Sequence, residues 1–294
     1  MAEIAPRILF WETSDERVLG VARLDNLGFT PFCFADRPES HDVRSRVSPE
    51  EIATEWDRLK PRPVPAPKTD PELAAAAVAL GLVDGAVGGA VTTSAAVLGA
   101  GLRYIGTLNT VSMALLATPP AGLHIGRQIM LADCGVVLRP TSTQLADIAL
   151  ASAQTWERVT GERARVAFIG ATTKSGGDTP EVQQVNEAIS MVFDRNPDIL
   201  IDGELQVDAA LSRDVASRKG APVLGGTANI LVFPDLISAN ASCKLLEHLG
   251  GYSITFLTQG FRRPLFDVSR GCTGTQLLAS ATQCAVLSQN VDEQ

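Results

Sequence analysis

The sequence of 294 residues has no excess of positive charge, and this absence limits its possible partners. Lysine and arginine number 25 against 33 aspartates and glutamates, which gives a formal net charge of −8. A protein that binds nucleic acid or an anionic membrane surface needs a basic face, and none stands out here. A small anionic substrate is not excluded, because it requires only a local patch of donors.

Cysteine and histidine are also scarce. The five cysteines are odd in number and scattered, and the three histidines do not fall at metal-ligand spacing. This pattern argues against a disulfide framework and against a zinc site, so we expect no metal. We expect reduced thiols instead.

Long apolar runs are missing as well. The segment 73–91 comes nearest to a membrane span, but Asp84 and several glycines interrupt it. Residues 1–7 lack the apolar core of a signal peptide. The sequence therefore predicts a cytoplasmic protein with no membrane partner.

The most informative stretch is a predicted strand-to-helix turn near the carboxyl terminus. A β-prone run, Pro264–Val268, stops at Ser269-Arg270-Gly271, and helical apolar spacing follows over Thr273–Leu287. Backbone N–H groups at a helix start favour an anion, and arginine adds a fork of donors for phosphate or carboxylate. A surface turn in which Ser269 caps the helix and Arg270 is solvated fits the same residues. Both interpretations stay open at this stage.

Two further hydroxyl-rich segments follow predicted strands. Thr172-Thr173-Lys174 opens a glycine-containing loop that can wrap phosphate or simply precede a capped helix. The segment 92–94, Thr-Thr-Ser, begins a helix that runs to Tyr104, and capping is its better interpretation. The loop and the segment are candidate phosphate contacts.

Strands and helices alternate along the whole chain, which predicts an α/β fold with parallel sheets covered by helices. The predicted strands are Arg7–Phe10, Phe29–Ala35, Gly85–Thr92, Arg127–Leu138, Arg165–Gly170, Asp198–Ile201, Ile230–Phe233, Ser253–Leu257 and Pro264–Val268. The segment Asp202–Ala210 is interpreted as a turn followed by the start of a helix.

Several motifs in register resemble one known family. They are Asp202-Gly203-Glu204-Leu205-Gln206-Val207-Asp208-Ala209-Ala210, then Ala228-Asn229 before a strand ending in Phe233-Pro234-Asp235, then Asn240, Lys244, Gln259-Gly260 and Ser269-Arg270-Gly271-Cys272. Their order and spacing resemble the phosphate acetyltransferase/phosphate butyryltransferase family. The resemblance covers residues 128–290 well and the amino-terminal part weakly.

The resemblance implies both a fold and a reaction. The fold would consist of two three-layer α/β domains with a cleft between them, as in isocitrate and isopropylmalate dehydrogenases. The first domain would comprise residues 1–140 plus 262–294, and the second would comprise residues 141–261. The expected reaction of this acyltransferase, acyl-CoA + phosphate = acyl phosphate + CoA, uses CoA as a substrate and no permanently bound cofactor. A homodimer would be usual.

The resemblance also assigns roles to residues of this chain. Ser269 and Arg270 would serve the phosphate and the oxyanion of the tetrahedral intermediate, with Thr172, Thr173 and Asn229 lining the pocket. Lys174 and Lys244 are further candidates for contacts with CoA or phosphate.

Three positions depart from the family pattern: Gly99 stands where an arginine is usual, Glu204 where proline is usual, and Gln276 where acetyl-specific members have an aspartate. Arg103 lies one helical turn after Gly99 and is a candidate to reach the same anion. The Glu204 carboxylate would repel phosphate unless it points outward or pairs with a cation. Cys272 is more consistent with packing than with covalent catalysis, because no histidine is placed to activate it.

Two hypotheses about function therefore remain. The first is an active phosphate acyltransferase. The second is a divergent relative that has lost the transferase reaction and retains a CoA or anion site for binding, regulation or another reaction.

Overall fold

The computed structural model of the protein describes residues 5–122 and 126–289. The chain forms two compact units: the first comprises the residues up to Leu108 together with those from Thr255 onward, and the second is Asn109–Ile254. Each unit contains a β-sheet and helices that pack on it. The prediction of an α/β fold with two sheets is confirmed.

The first sheet is parallel throughout and is built from short apolar strands. In spatial order its strands are β11 (Leu265–Asp267), β4 (Gly85–Gly88), β1 (Arg7–Phe10), β2 (Thr30–Phe34) and β3 (Ser45–Val47). Ile8, Leu9 and Phe10 on the central strand are fully buried. Because the strands are parallel, the chain leaves β1, β4 and β11 at the same edge of the sheet.

The second sheet is mixed, in contrast to the prediction of wholly parallel sheets. Five of its strands lie in the order β5 (Thr107–Thr118), β6 (Ile129–Ala132), β9 (Ile230–Val232), β7 (Arg165–Ile169) and β8 (Leu200–Leu205). β5 runs antiparallel to β6, whereas β6–β9, β9–β7 and β7–β8 are parallel pairs. The strand β10 (Ser253–Phe261) carries the chain back into the first unit.

Ten α-helices connect or follow the strands within the described residues. They are α1 (Glu16–Ala22), α2 (Pro49–Leu59), α3 (Asp70–Ala79), α4 (Ser94–Ala100), α5 (Ser142–Thr160), α6 (Pro180–Arg195), α7 (Val207–Leu211), α8 (Arg213–Arg218), α9 (Leu236–His248) and α10 (Gly274–Ser288). A single π-helical turn, Gly101–Ile105, extends α4, and a 3₁₀ turn forms at Pro38–Ser40.

The boundaries of the two units differ from the predicted domains, which were 1–140 plus 262–294 and 141–261. The observed changes of unit fall after Leu108 and after Ile254. β5 and β6 pair with each other, and β6 pairs with β9, so β5 and β6 belong with the second sheet.

The segment Asp202–Ala210 also differs from its interpretation as a turn and helix start. β8 continues through Asp202, Gly203 and Glu204 to Leu205, and the helix begins only at Val207. Both carboxylates on this part of the strand are buried. The strand can continue because each carboxylate finds partners in the loop that follows β7.

Candidate active site

The turn between β11 and α10 places Ser269 and Arg270 at the carboxyl edge of the first sheet. Thr273 caps α10: its hydroxyl accepts from the N–H of Gln276 at 3.2 Å, and the Gln276 Oε1 accepts from the N–H of Thr273 at 2.9 Å. The interpretation of Ser269 as the helix cap is therefore wrong. Its Oγ accepts from the N–H of Gly271 at 3.2 Å, and its hydroxyl hydrogen has no acceptor in the described part of the chain.

Arg17 holds this turn from the amino-terminal part of the chain. Its Nη1 donates to the carbonyl oxygens of Arg270 and Cys272 at 2.8 and 2.7 Å, and its Nη2 donates to the carbonyl of Ala90 at 3.0 Å. Asp15 caps α1 and accepts from the Arg17 Nε and Nη2, and this pairing lowers the pKa of the Asp15 carboxyl. One guanidinium thus joins the first turn of α1 to the loops that follow β4 and β11.

Arg270 projects from the turn with its guanidinium exposed. Its carbonyl is the acceptor used by Arg17, but its side chain has no hydrogen bond or ion pair to any residue within 5–122 and 126–289. An unpaired guanidinium is a planar fork of donors suited to bidentate recognition of an oxyanion. The turn therefore presents a cation and a free hydroxyl side by side.

Glu12 organises the neighbouring loop after β4. Its buried carboxylate accepts from the N–H groups of Ala90, Val91 and Thr92 at 2.8, 3.1 and 2.5 Å. Thr93 caps α4 through its hydroxyl, so capping, the favoured interpretation of the Thr-Thr-Ser segment, is confirmed. Three consecutive backbone donors, which end at the first residue of this segment, are thus bound to Glu12.

Asp267, which sequence reasoning missed, is a buried carboxyl beside the turn. It is 0% exposed, and neither oxygen makes a hydrogen bond of good geometry within the described residues. Its Oδ1 lies against Gly89, where an added Cβ would come within 2.1 Å. Burial raises the pKa of Asp267 to about 6; the Ser94 hydroxyl opposes this change, and the Glu12 charge adds to it. A carboxylate directly before Val268 and Ser269 was the available sequence signal.

The second candidate cluster is the loop that follows β7 in the second unit. The Thr172 hydroxyl lies 2.6 and 2.7 Å from the two carboxylate oxygens of Glu204, and the N–H of Gly176 donates to the Glu204 Oε1 at 2.8 Å. Glu204 is only 5% exposed. It therefore points into the loop rather than outward, and its direct partners are a hydroxyl and an N–H rather than a cation.

Lys174 and Thr173 are also engaged within the second unit. The Lys174 Nζ lies 2.5 Å from the Asp202 Oδ1 and 2.5 Å from the Gly203 carbonyl oxygen. The Thr173 hydroxyl accepts from the N–H of Gln206 at 3.0 Å. The structure thus brings Thr172, Thr173 and Lys174 together, but their polar atoms bind the end of β8.

Asn229 and Thr172 lie near opposite ends of the strand β7 in the second sheet. Its Oδ1 accepts from the N–H of Arg165, at the start of β7, at 2.7 Å, and its Nδ2 donates to the Arg163 carbonyl at 3.0 Å. Thr172 follows the other end of β7, about 13 Å away along the strand. Asn229 thus lies near the start of β7, whereas Thr172 follows its end, and the length of the strand separates them. The expectation that both residues line one pocket is not met.

Lys244 and Arg103 both form surface ion pairs. Lys244, on α9, pairs with Glu247 at 2.8 Å. Arg103, in the π-helical turn, pairs at 2.9 Å with Glu72, which belongs to the capping box of α3. Each pairing is within its own unit, and neither includes Ser269 or Thr172.

Cys272 and Gln276 have structural roles in the same turn. Cys272 is 3% exposed, and burial raises the pKa of its thiol, although the nearby Arg17 acts in the opposite direction. A buried neutral thiol is a poor nucleophile, so packing is the better interpretation of Cys272. Gln276 completes the capping box of α10.

No group of three or more histidine, cysteine, aspartate or glutamate side chains that could hold a metal ion occurs among residues 5–122 and 126–289. The five cysteines are all free and buried. No helix in the described ranges is both long and apolar enough to cross a membrane.

The fold matches solved structures of phosphotransacetylases. A phosphotransacetylase from Streptococcus pyogenes superposes with a TM-score of 0.83 and 26% identity, over 96% of this chain and 94% of that one. A 4-hydroxythreonine-4-phosphate dehydrogenase from Burkholderia phymatum, at 12% identity and a TM-score of 0.52, shares the fold alone. The chain is thus an α/β protein of the phosphotransacetylase fold class.

The chain belongs to the phosphate acetyl/butaryl transferase family, whose profile matches residues 66–285. A phosphate acetyltransferase from Treponema pallidum is 41% identical over 70% of this chain and 63% of its own length. Another from Paracoccus denitrificans is 34% identical over 76% of this chain and 74% of its own length. The match thus spans less than two thirds of the Treponema relative.

Proposed function

We propose that this protein transfers an acyl group between CoA and inorganic phosphate: acyl-CoA + phosphate = acyl phosphate + CoA. Membership of the phosphate acetyl/butaryl transferase family supports this reaction, as do the phosphate acetyltransferases among its relatives. The substrates are therefore an acyl-CoA and phosphate, with CoA acting as a substrate rather than as a resident cofactor.

The observation that carries the proposal is the geometry of the Ser269–Arg270 turn. Arg17 binds the turn's backbone carbonyls, so the Arg270 guanidinium and the Ser269 hydroxyl are left for a ligand. Arg270 binds phosphate through two parallel N–H donors, and Ser269 donates to the oxyanion that develops on the thioester carbonyl. The other arginine of this cluster, Arg17, is fully used within the protein.

The chemistry requires one bond to form and one to break. A phosphate oxygen attacks the thioester carbonyl carbon, which forms a C–O bond and a tetrahedral oxyanion. The C–S bond then breaks, CoA leaves as the thiolate, and the thiolate takes up the proton that the attacking hydrogen phosphate loses, which gives the free thiol. Hydrogen-bond donors positioned at the oxyanion lower the barrier of this step; removal of one such donor typically slows catalysis by about 10²–10³-fold.

The test is phosphate-dependent release of free thiol from a panel of acyl-CoAs of increasing acyl length. We expect release with at least one acyl-CoA, and we expect Arg270→Ala to lose it. The matched control is Arg262→Ala, which removes another exposed arginine of the first unit. Arg262 precedes β11 in the sequence, whereas Arg270 follows it. No release from any acyl-CoA would favour the second hypothesis, a relative that retains anion binding without transfer.

The remaining site residues are proposed with secondary roles. Thr172, Thr173 and Lys174 would face the substrate side of the second unit, and Lys244 and Arg103 would reach a ligand only after leaving their present ion pairs. We also propose a homodimer in the cytoplasm. Light scattering on the purified protein measures the oligomeric state directly.

A further inference from the structure

Glu204 occupies the loop after β7 in the manner of a bound anion. The loop supplies a hydroxyl, from Thr172, and a backbone N–H, from Gly176, and both lie 2.6–2.8 Å from the Glu204 carboxylate oxygens. Hydroxyl and N–H donors on a glycine-containing loop are the groups that bind phosphate oxygens in other proteins. Here the oxyanion that they hold belongs to the protein itself.

The loop is shaped around this carboxylate. A Cβ added to Gly176 would lie 2.7 Å from the Glu204 Oε1, and one added to Gly170 would lie 3.1 Å from the Glu204 Cβ and 3.3 Å from its Oε2. A side chain at Gly176 would collide with Thr172 and Val182 as well as with Glu204, and one at Gly170 would crowd Glu204, which is 5% exposed. The two glycines therefore provide the space in which the carboxylate sits.

The charges around the loop do not favour a second anion. The Lys174 ammonium, the cation carried by the loop, lies 2.5 Å from the Asp202 carboxylate. Asp202 and Glu204 are both buried, so an incoming phosphate dianion would meet two carboxylates that water screens poorly. A free phosphate cannot share the loop with Glu204.

We propose that the loop of residues 170–177 is an anion-binding loop whose ligand is the Glu204 carboxylate, and that Glu204 thereby excludes inorganic phosphate from it. Glu204 is a specificity-determining residue in this account: it confines phosphate to other donors of the protein. The proposal concerns binding alone and does not rest on acyl transfer.

The experiment measures whether inorganic phosphate stabilises the protein once the carboxylate is removed. A ligand that binds only the folded state raises the melting temperature by an amount that grows with the logarithm of the ratio of its concentration to its Kd. Thermal melts of wild type and Glu204→Ala are compared in phosphate and in potassium chloride of equal ionic strength. We expect phosphate to raise the Tm of Glu204→Ala well above any shift of wild type, with a Kd at least tenfold lower by calorimetric titration.

Two further variants locate the effect. Thr172→Val in the Glu204→Ala background removes the hydroxyl that would donate to phosphate in place of the Glu204 carboxylate. We therefore expect the additional phosphate-induced rise in Tm to disappear. Glu181→Ala, which removes an exposed carboxylate from the first turn of α6, should respond to phosphate as wild type does. Equal phosphate shifts in wild type and Glu204→Ala, or an additional shift that survives Thr172→Val, would overturn the proposal.

If Glu204→Ala does not fold, Glu204→Ser takes its place. The serine side chain is too short to reach the Thr172 hydroxyl and the Gly176 N–H, and it carries no charge to repel phosphate. We expect the Tm of Glu204→Ser to rise more in phosphate than that of wild type, and an identical rise would contradict the inference. No acyl-CoA is present in these measurements, so their outcome is independent of whether the protein is a transferase.

Discussion

Arg17 and Arg270 are 253 positions apart in the sequence, yet the Nη1 of Arg17 donates to the carbonyl oxygen of Arg270 at 2.8 Å. The contact joins the first turn of α1 to the turn that follows the last strand, β11. The two arginines therefore have different roles. Arg17 binds the backbone of the turn, and the side chain of Arg270 remains unpaired within the described residues.

Replacement of Arg17 by lysine should reduce the proposed acyl transfer by roughly 10²-fold, because small displacements of a catalytic turn have effects of that size. Lysine cannot bind the carbonyls of Ala90, Arg270 and Cys272 and the Asp15 carboxylate at the same time. Initial rates with saturating phosphate measure the change in kcat. Arg23→Lys is the control, since Arg23 forms a surface ion pair with Asp42; equal losses in both variants would contradict the role of Arg17.

Asp267→Asn should change how stability depends on pH. Burial raises the pKa of Asp267 from 3.8 to about 6 in the folded protein. The folded state therefore holds this proton over a range in which the unfolded state has released it. As pH rises from about 4 to 6, this group lowers the free energy of unfolding, by up to about 3 kcal/mol in total.

The measurement for Asp267 is urea unfolding of wild type and Asp267→Asn between pH 4 and 8. As pH rises through 6, wild type should lose stability relative to Asp267→Asn. The difference between their unfolding free energies should become constant above pH 7. A difference that does not vary with pH would show that Asp267 keeps an ordinary pKa in the folded protein.

Gly99→Arg should restore a guanidinium at a position where the family pattern has one. A Cβ on Gly99 would meet no heavy atom within 4 Å, and arginine is a better helix former than glycine by up to about 1 kcal/mol. We expect a folded variant with a lower KM for substrate and an unchanged or higher melting temperature. Gly99→Ala separates the gain in helix stability from the effect of charge, so an equal fall in KM with alanine would count against an arginine site.

Cys272→Ala should retain the proposed transferase activity to within about tenfold of wild type. The thiol is buried and its pKa is raised, so it is mostly protonated and inaccessible at neutral pH. The native protein should also react slowly with iodoacetamide. Abolished activity in a folded Cys272→Ala protein, or rapid alkylation of Cys272 that is coupled to inactivation, would point to covalent catalysis instead.

Asn229→Ala should lower stability without changing KM for phosphate. The variant leaves the part-buried N–H of Arg165 and the Arg163 carbonyl without their partner, which costs on the order of 1–3 kcal/mol. Urea unfolding checks the first part and steady-state kinetics the second. A rise in KM for phosphate with unchanged stability would place Asn229 in the substrate site after all.

Strands with concentrated β-branched and aromatic residues could be predicted from the sequence, and β1, β2, β7 and β9 all lie within or next to their predicted ranges. β5 was missed. Its buried half, around Met113–Ala117, consists of methionine, alanine and leucine, which favour helix as readily as strand. Antiparallel pairing with β6 decides its conformation, and local sequence does not encode that pairing.

In the candidate site too, contacts between distant parts of the chain could not be predicted from local sequence. A charged Asp-Gly-Glu segment is typical of a turn, so Asp202 and Glu204 were not expected inside a strand. Lys174 pairs with Asp202 and Thr172 with Glu204, and both partners come from a loop about thirty positions earlier. The Ser269–Arg270 turn could be predicted because its residues are contiguous. The hydrogen bonds from Arg17 to this turn could not be predicted, because they depend on the sheet order β11-β4-β1.

The most direct test of the proposed reaction is to follow the phosphorus itself. Phosphorus NMR of the protein with an acyl-CoA and inorganic phosphate should show an acyl phosphate resonance that grows in step with free CoA thiol, one for one. Arg270→Ala should show neither, and Arg262→Ala should show both. Thiol release without an acyl phosphate would mean hydrolysis rather than transfer, and an unchanged spectrum with every acyl-CoA would contradict the proposed function.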